Sequence, residues 1–267
     1  MKTDLKPSTQ ICREDNERAW NDLAYEAWNN KFGAPQIAAK RIMDNPEKTL
    51  TGLNHKLGQV SGKKIANLLG SNGTKAIALA VLGADVTVFD FSKGSRTYAE
   101  EAADIAKVKI RYVLENIVDL PESELSADYD IVFAEIGIIH YFTDLVPFFI
   151  TAYQLLGSGG RFILRDFHPV SNKLISSKGT TAKIRKHKVD GDYFDTSLVE
   201  SEISYAKYLP AVETQKVYLR KWNLGEIITA AAKAGLIIES LEEEPNLSCE
   251  QYDRGIPKTF ILTAKKA

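Results

Sequence analysis

Apolar positions follow two regimes along this chain. From about Asn16 to Lys31, the residues Trp20, Leu23, Ala24, Ala27 and Trp28 recur at helical spacing, which predicts one amphipathic helix with an aromatic stripe, closed by Gly33 and Pro35. A second short helix is predicted over 36–43, and Gly58, Ser61 and Gly62 mark a loop into the first strand. From Lys63 onward, short apolar runs of strand length alternate with helical segments, the pattern of repeated βα units on a mostly parallel sheet. The predicted strands are 64–69, 85–90, 109–114, 129–135 and 161–166; the helices between them are 73–82, 96–107 and 145–156. Gly157, Gly159 and Gly160 are read as the turn from the last helix into its strand.

Residues 173–218 break this rhythm. They are rich in Lys, Asp, Thr, Ser and Tyr, with partial alternation in 201–208 and 214–222, and predict an inserted antiparallel flap. An apolar helix over 224–234, closed by Gly235, and strands at 236–241 and 259–264 complete the chain. The loop joining those two strands is too short for a crossover helix, so they are expected to pair as an antiparallel hairpin. The expected fold is α/β: a doubly wound, seven-stranded, mostly parallel sheet with an antiparallel last strand. Its parts are an N-terminal helical lid over 1–61, a core over 62–172, the flap over 173–222, and a C-terminal helix and hairpin over 223–267.

Composition narrows the function. With 34 Lys and Arg against 35 Asp and Glu, the 267-residue chain has no basic footprint of the kind that duplex DNA or anionic lipid requires, so neither nucleic acid nor membrane is an expected partner. Cys12 and Cys249 match no metal-ligand spacing and no disulfide framework, which predicts a reducing compartment and no metal. The charged N-terminus lacks an apolar signal core, and no run approaches the ~20 apolar residues of a membrane span. A cytoplasmic protein, monomeric or homodimeric, is expected.

The first predicted strand runs into Gly70, Ser71, Asn72 and Gly73 and straight on into a helix, an arrangement that brings backbone close to a ligand at a helix N-terminus. About twenty residues on, the second strand ends in Asp90, placed to accept hydrogen bonds from ribose hydroxyls. Together these predict a nucleoside-type cofactor.

The segments 65–73 (IANLLGSNG) and 82–92 (LGADVTVFDFS) resemble motifs I and II of the class I S-adenosylmethionine (SAM) dependent methyltransferases. The chain departs from that pattern with Asn67 at the acidic position and with Leu69 and Ser71 at the first two glycines, while Gly73 is kept. Residues 112–121 are similar to the family's segment after strand three, in which Asn116 and Ile117 occupy the adenine-contacting positions. Residues 128–141 resemble motif IV with its trailing Gly-x-x-His, and 156–164 the helix, glycine turn and fifth strand. The resemblance runs from about Gly62 to Pro169. It implies SAM as cofactor, S-adenosylhomocysteine (SAH) as product, and a small-molecule methyl acceptor. The cofactor contacts it implies are Asn67, Leu69, Gly70, Ser71, Asn72, Gly73, Asp90, Phe91, Ser92, Asn116, Ile117, Glu135 and Ile136, with Tyr25 and Trp28 closing the pocket from the lid.

His140 and His168 follow the fourth and fifth strands, at the carboxyl edge where open α/β sheets bind ligands, and are the candidate bases for an acceptor's proton. Methyl transfer from a sulfonium also proceeds by in-line positioning alone, so either histidine is alternatively a shaping residue. Tyr25 and Trp28 are alternatively core packing of their helix. Tyr193, Phe194, Tyr205 and Tyr208 either line an acceptor cavity or cover the core. Two other functions fit the same loop: a SAM-binding protein without turnover, and an NAD-dependent oxidoreductase, against which the glycine spacing and the hairpin argue.

Overall fold

The computed structural model describes residues 9–178, 186–210, 212–245 and 255–267. Five helices come first: α1 (Thr9–Asp22), α2 (Ala24–Phe32), α3 (Pro35–Asp44), α4 (Pro46–Thr49) and α5 (Asn54–Leu57). The predicted single helix over 16–31 is thus two, because Leu23, at φ −126 and ψ 23, leaves helical geometry between them. Alternation then begins with β1 (Lys64–Leu68), α6 (Thr74–Val81), β2 (Asp85–Phe89), α7 (Lys93–Ala106), β3 (Arg111–Val113), β4 (Tyr129–Glu135), α8 (Val146–Leu155) and β5 (Leu156–Phe167). After β5 come β6 (Ile175–Lys178), β7 (Lys186–Val189), β8 (Leu198–Glu202), β9 (Lys216–Arg220), α9 (Leu224–Lys233), β10 (Ile237–Pro245) and β11 (Pro257–Lys265).

Seven strands form one sheet in the order β10-β11-β5-β4-β1-β2-β3. β1 pairs parallel with β2 and β2 with β3, and β4 pairs parallel with β5; β11 is antiparallel to both β5 and β10. The expected mostly parallel sheet with its antiparallel hairpin is therefore the observed one. Gly157, Gly159 and Gly160 lie inside β5 rather than in a turn before it, where the partners of β4 jump from Leu156 to Arg161 in a bulge.

The chain falls into two compact units. The first holds residues up to Leu120 with Tyr141–Thr143 and Leu198–Leu219. Its helices are started by local chemistry: Ser92 Oγ accepts the Ser95 N–H at the head of α7, and Pro35 sits at the first turn of α3. The aromatic stripe of α1 and α2 packs with Tyr98 of α7 and with Ile203, Tyr205, Leu209 and Val217. Asn16 ties α1 to β9 by accepting the Tyr218 N–H (2.7 Å) and donating to the Tyr218 carbonyl (2.9 Å).

The second unit holds Pro121–His140, Asp144–Ser197 and Arg220–Ala267. Phe148, Phe149 and Phe162 pack edge to face in its core, and Asn223 with Glu226 forms a capping box that starts α9. The predicted flap is two separate two-stranded sheets, β6–β7 in this unit and β8–β9 elsewhere. The reason is burial: the stretch after β8 carries Ile203 and Tyr205, 2 % and 1 % exposed, into the aromatic core of the first unit. Cys12 is buried, and Cys249 lies outside the described residues.

Candidate active site

The first unit builds its site on the loop that leaves β1. Leu69, Ser71 and Gly73 take φ of 45, 50 and 70, so this loop keeps left-handed backbone at all three positions where the resembled motif has glycine. Each non-glycine residue there costs roughly 1–2 kcal/mol, which surrounding bonds must offset. Leu69 N–H donates to the Phe89 carbonyl at 2.7 Å and Ser71 N–H to Asp90 Oδ2 at 2.9 Å, while the Tyr112 hydroxyl donates to the Ser71 carbonyl at 2.9 Å. Asn72 Oδ1 accepts from the Thr74 N–H (3.3 Å) and hydroxyl (3.1 Å), which steadies the entry to α6.

Beside this loop, Asn67 is 3 % exposed, and neither its Oδ1 nor Ser71 Oγ has a hydrogen-bond partner among the described residues. A Cβ on Gly70 would come within 2.6 Å of that Asn67 Oδ1. Buried polar atoms without partners are uncommon and costly, so two of them at a left-handed turn fit a polar ligand group. The residues present therefore suit the methionine end of SAM, with an amide oxygen standing where the resembled motif carries a carboxylate.

Asp90 follows β2 and is buried. Its Oδ1 accepts the Ser92 N–H at 2.9 Å while Oδ2 holds Ser71, so one carboxylate links the loop to the head of α7. Burial pushes its pKa up to about 6 against the pull of the Ser92, Ser71 and Phe91 amides. A carboxyl whose folded pKa is raised favours the folded state below the unfolded pKa, and that stability is lost as pH rises through the folded value. Urea denaturation is therefore expected to show wild type gaining about 1.4 kcal/mol over Asp90→Asn between pH 7 and pH 5. A difference that stays constant or shrinks with falling pH would show that Asp90 is not held this way.

Ser92 is used as the N-cap of α7 and donates to the Trp20 carbonyl at 2.9 Å. Asn116 Oδ1 accepts the Val118 N–H at 3.1 Å, and its Nδ2 donates to Glu17 on α1. Ile117 is buried in the short turn that follows, and Phe91 is partly buried after Asp90. Arg13, also on α1, pairs with Asp119. Glu17 and Arg13 escaped sequence reading because nothing in their own neighbourhood points to partners about a hundred residues away.

Tyr25 and Trp28 pack on α7. The Tyr25 hydroxyl donates to Glu101 at 2.7 Å, and Trp28 Nε1 donates to Ser95 Oγ at 3.0 Å while its ring stacks with Trp20 at 6.1 Å. The Trp28 tip is thus committed in the core of the first unit, and the Tyr25 hydroxyl to Glu101 at its surface. Tyr205 likewise belongs to this core, its hydroxyl donating to the Ala19 carbonyl. Phe194, by contrast, is 78 % exposed.

The second unit carries the remaining candidates. Glu135 ends β4 and pairs with Arg165 at 3.1 Å, which also holds Glu244 at 2.9 Å. Ile136 takes φ 54, its N–H donating to the Arg165 carbonyl at 2.7 Å. Gly137, Ile138 and Ile139 then donate their N–H groups to Asp166, a residue sequence reading placed only as the end of a strand. His140 follows, partly buried, and desolvation lowers its pKa from the ordinary value of 6.5 against an opposing pull from the Asp166 charge. It is accordingly neutral at pH 7.

His168 follows the end of β5. It is 1 % exposed; Nδ1 accepts the Val170 N–H at 3.1 Å and Nε2 lies 2.6 Å from Glu243 Oε1, which makes it the donor there. With both ring nitrogens engaged, His168 braces the segment after β5.

Comparison with known proteins agrees with this geometry. Residues 69–164 match the family described as a methyltransferase domain. No curated protein matches the sequence. Among solved structures, the chain is similar to an S-adenosylmethionine dependent methyltransferase from Listeria monocytogenes (TM-score 0.64, 22 % identity, covering 83 % of this chain and 99 % of that one). A second, from Mesorhizobium loti, gives a TM-score of 0.62 at 21 % identity over 84 % of this chain and all of its own, 100 %. Magnesium protoporphyrin IX methyltransferase from Synechocystis PCC 6803, solved with bound SAH, gives 0.57 at 13 % identity over 96 % and 100 %. At these identities the structural likeness is one of fold. Residues 69–164 accordingly carry a match to a methyltransferase domain, and the chain shares the fold of the SAM-dependent enzymes.

Proposed function

We propose that this protein methylates an O, N or S atom of a small molecule, with His140 accepting the acceptor's proton. The observation that carries the donor side is the Leu69–Gly73 loop: left-handed at three positions, gripped by Asp90, and flanked by the unpartnered Asn67 Oδ1 and Ser71 Oγ. Asn67, Leu69, Gly70, Ser71, Asn72 and Gly73 would hold the methionine end of SAM, and Asp90, Phe91, Asn116 and Ile117 its nucleoside. Ser92, Tyr25 and Trp28 of the first unit, and Glu135 and Ile136 of the second, are the further cofactor-contacting residues of this reading. When bound, SAM supplies an electrophilic methyl carbon whose bond electrons stay with sulfur as the acceptor's lone pair takes the carbon. His140, held neutral by burial, is suited to take the proton released from the acceptor.

The small-molecule class is supported by charge. A formal net charge of −1 offers a polyanion no long-range attraction. Titration calorimetry with SAH and NAD side by side is expected to show SAH binding and none for NAD; the reverse overturns the reading. Incubation with methyl-labelled SAM and a fractionated metabolite extract is expected to place label in a small, soluble product. Label that precipitates with protein or RNA would instead assign a macromolecular acceptor.

A further inference from the structure

Asp166 is one of the most deeply buried charged side chains described, at 1 % exposed, and its partners are backbone amides. Oδ1 accepts the N–H of Gly137 (2.8 Å) and of Phe167 (2.7 Å); Oδ2 accepts those of Ile138 (3.0 Å) and Ile139 (3.1 Å). All but Phe167 belong to the turn that carries the chain from β4 into His140. Burying a carboxylate costs several kcal/mol, and hydrogen bonds to the charged form offset that cost. Closing a turn does not of itself call for a buried charge.

The same turn is held from its other side. Trp222 Nε1 donates to the Ile139 carbonyl at 2.9 Å, so the N–H and the carbonyl of Ile139 are both fixed. Trp222 is in turn backed by the Arg220 guanidinium 3.6 Å from its ring centre, and Arg220 pairs with Glu226 of the α9 capping box at 2.6 Å. A Cβ on Gly137 would stand 3.5 Å from His140 Cε1, which puts the imidazole directly against this turn. Of the other charges at this end of the second unit, Arg165 is paired with Glu135 and Glu244, and Arg220 with Glu226.

We propose that Asp166 is a positioning residue for methyl transfer: by gathering the amides of Gly137, Ile138 and Ile139 it fixes the orientation of the His140 ring, and its charge steadies the imidazolium that forms when His140 takes the acceptor's proton. This rests on the reading of His140 as the base. An active-site turn gathered by a buried carboxylate holds its histidine in a single pose and spares the reaction the reorganisation that a mobile ring would demand.

The test is a histidine-ring NMR titration of the full chain, wild type against Asp166→Asn, with His140→Gln to assign the signal. Loss of the negative charge is expected to lower the His140 midpoint by about one pH unit. Turnover of the acceptor found in the extract screen is expected to fall about tenfold or more, with KM for SAM unchanged. An unchanged midpoint or an unchanged turnover overturns the proposal. Should Asp166→Asn fail to fold, the carboxyl carbon resonance of Asp166 in wild type decides: it is expected to shift with the His140 midpoint and to lose that step in His140→Gln, and an insensitive carboxyl overturns the proposal. Failure of wild type to bind SAH would instead sink the donor assignment, while the titration would still report on the link between Asp166 and His140.

Discussion

Gly73→Ala is expected to lose about 3 kcal/mol of unfolding free energy and to weaken SAH binding by at least about tenfold. Two costs combine at this position. Gly73 takes φ 70 at the head of α6, where an L side chain is strained, and the new Cβ would lie 2.6 Å from the Cβ of Ala99 on α7. Neither alanine has a flexible side chain to turn aside, so the backbone of the loop must shift, and with it the Asn67, Ser71 and Asp90 arrangement. Gly159→Ala is the matched control. Its φ is 73 but nothing lies within 4 Å of the added Cβ, so it is expected to cost only the strain of about 1 kcal/mol and to leave SAH binding alone. Urea denaturation and calorimetry on both variants separate strain from overlap; equal losses would mean that the contact with α7 contributes nothing.

The second large effect lies at His140. His140→Ala is expected to slow turnover by about 10²- to 10⁴-fold, the range for removing a positioned general base, while the SAH dissociation constant stays within about twofold. The pH dependence carries a sign. Because burial lowers the His140 pKa below its ordinary 6.5, the active neutral form persists on the acid side, and wild-type kcat/KM is expected to hold steady as pH falls to 6.5 and to decline only below it. A variant that keeps wild-type turnover would show that the acceptor needs no base and that transfer proceeds through positioning and desolvation alone. That outcome would leave the methyltransferase assignment untouched.

Both predictions concern residues that the amino-acid sequence singles out by itself. Gly73 is legible because a glycine directly before an apolar helical run is a local signal, and Asp90 because it ends an apolar strand about twenty residues beyond the loop. His140 stands out through its place after the fourth strand. The same reasoning singles out His168, but its contact with Glu243, 75 residues away on β10, is nothing that a place after a strand announces. Asn116 and Trp28 show the same limit. Sequence points to them as cofactor neighbours but gives no sign of the bonds that Asn116 makes to Glu17 and Trp28 to Ser95.

Strand length, helix period, caps and the closing hairpin can be read from the chain because each depends on residues a few positions apart, where backbone geometry and burial periodicity impose their pattern directly. That reading extends to the parallel sheet and its antiparallel end. Three-dimensional packing settled the rest: the left-handed backbone of Leu69 and Ser71, which no local preference favours; the division of the predicted flap into two small sheets; and the distant partners of Asn116, Trp28, His168 and Asp166. A buried donor or acceptor must be satisfied by whatever group folding brings against it, and that group carries no mark in its own neighbourhood. Asp166 is the clearest instance, an ordinary strand-end aspartate in sequence whose three bonds to the turn before His140 exist only once β4 and β5 lie side by side.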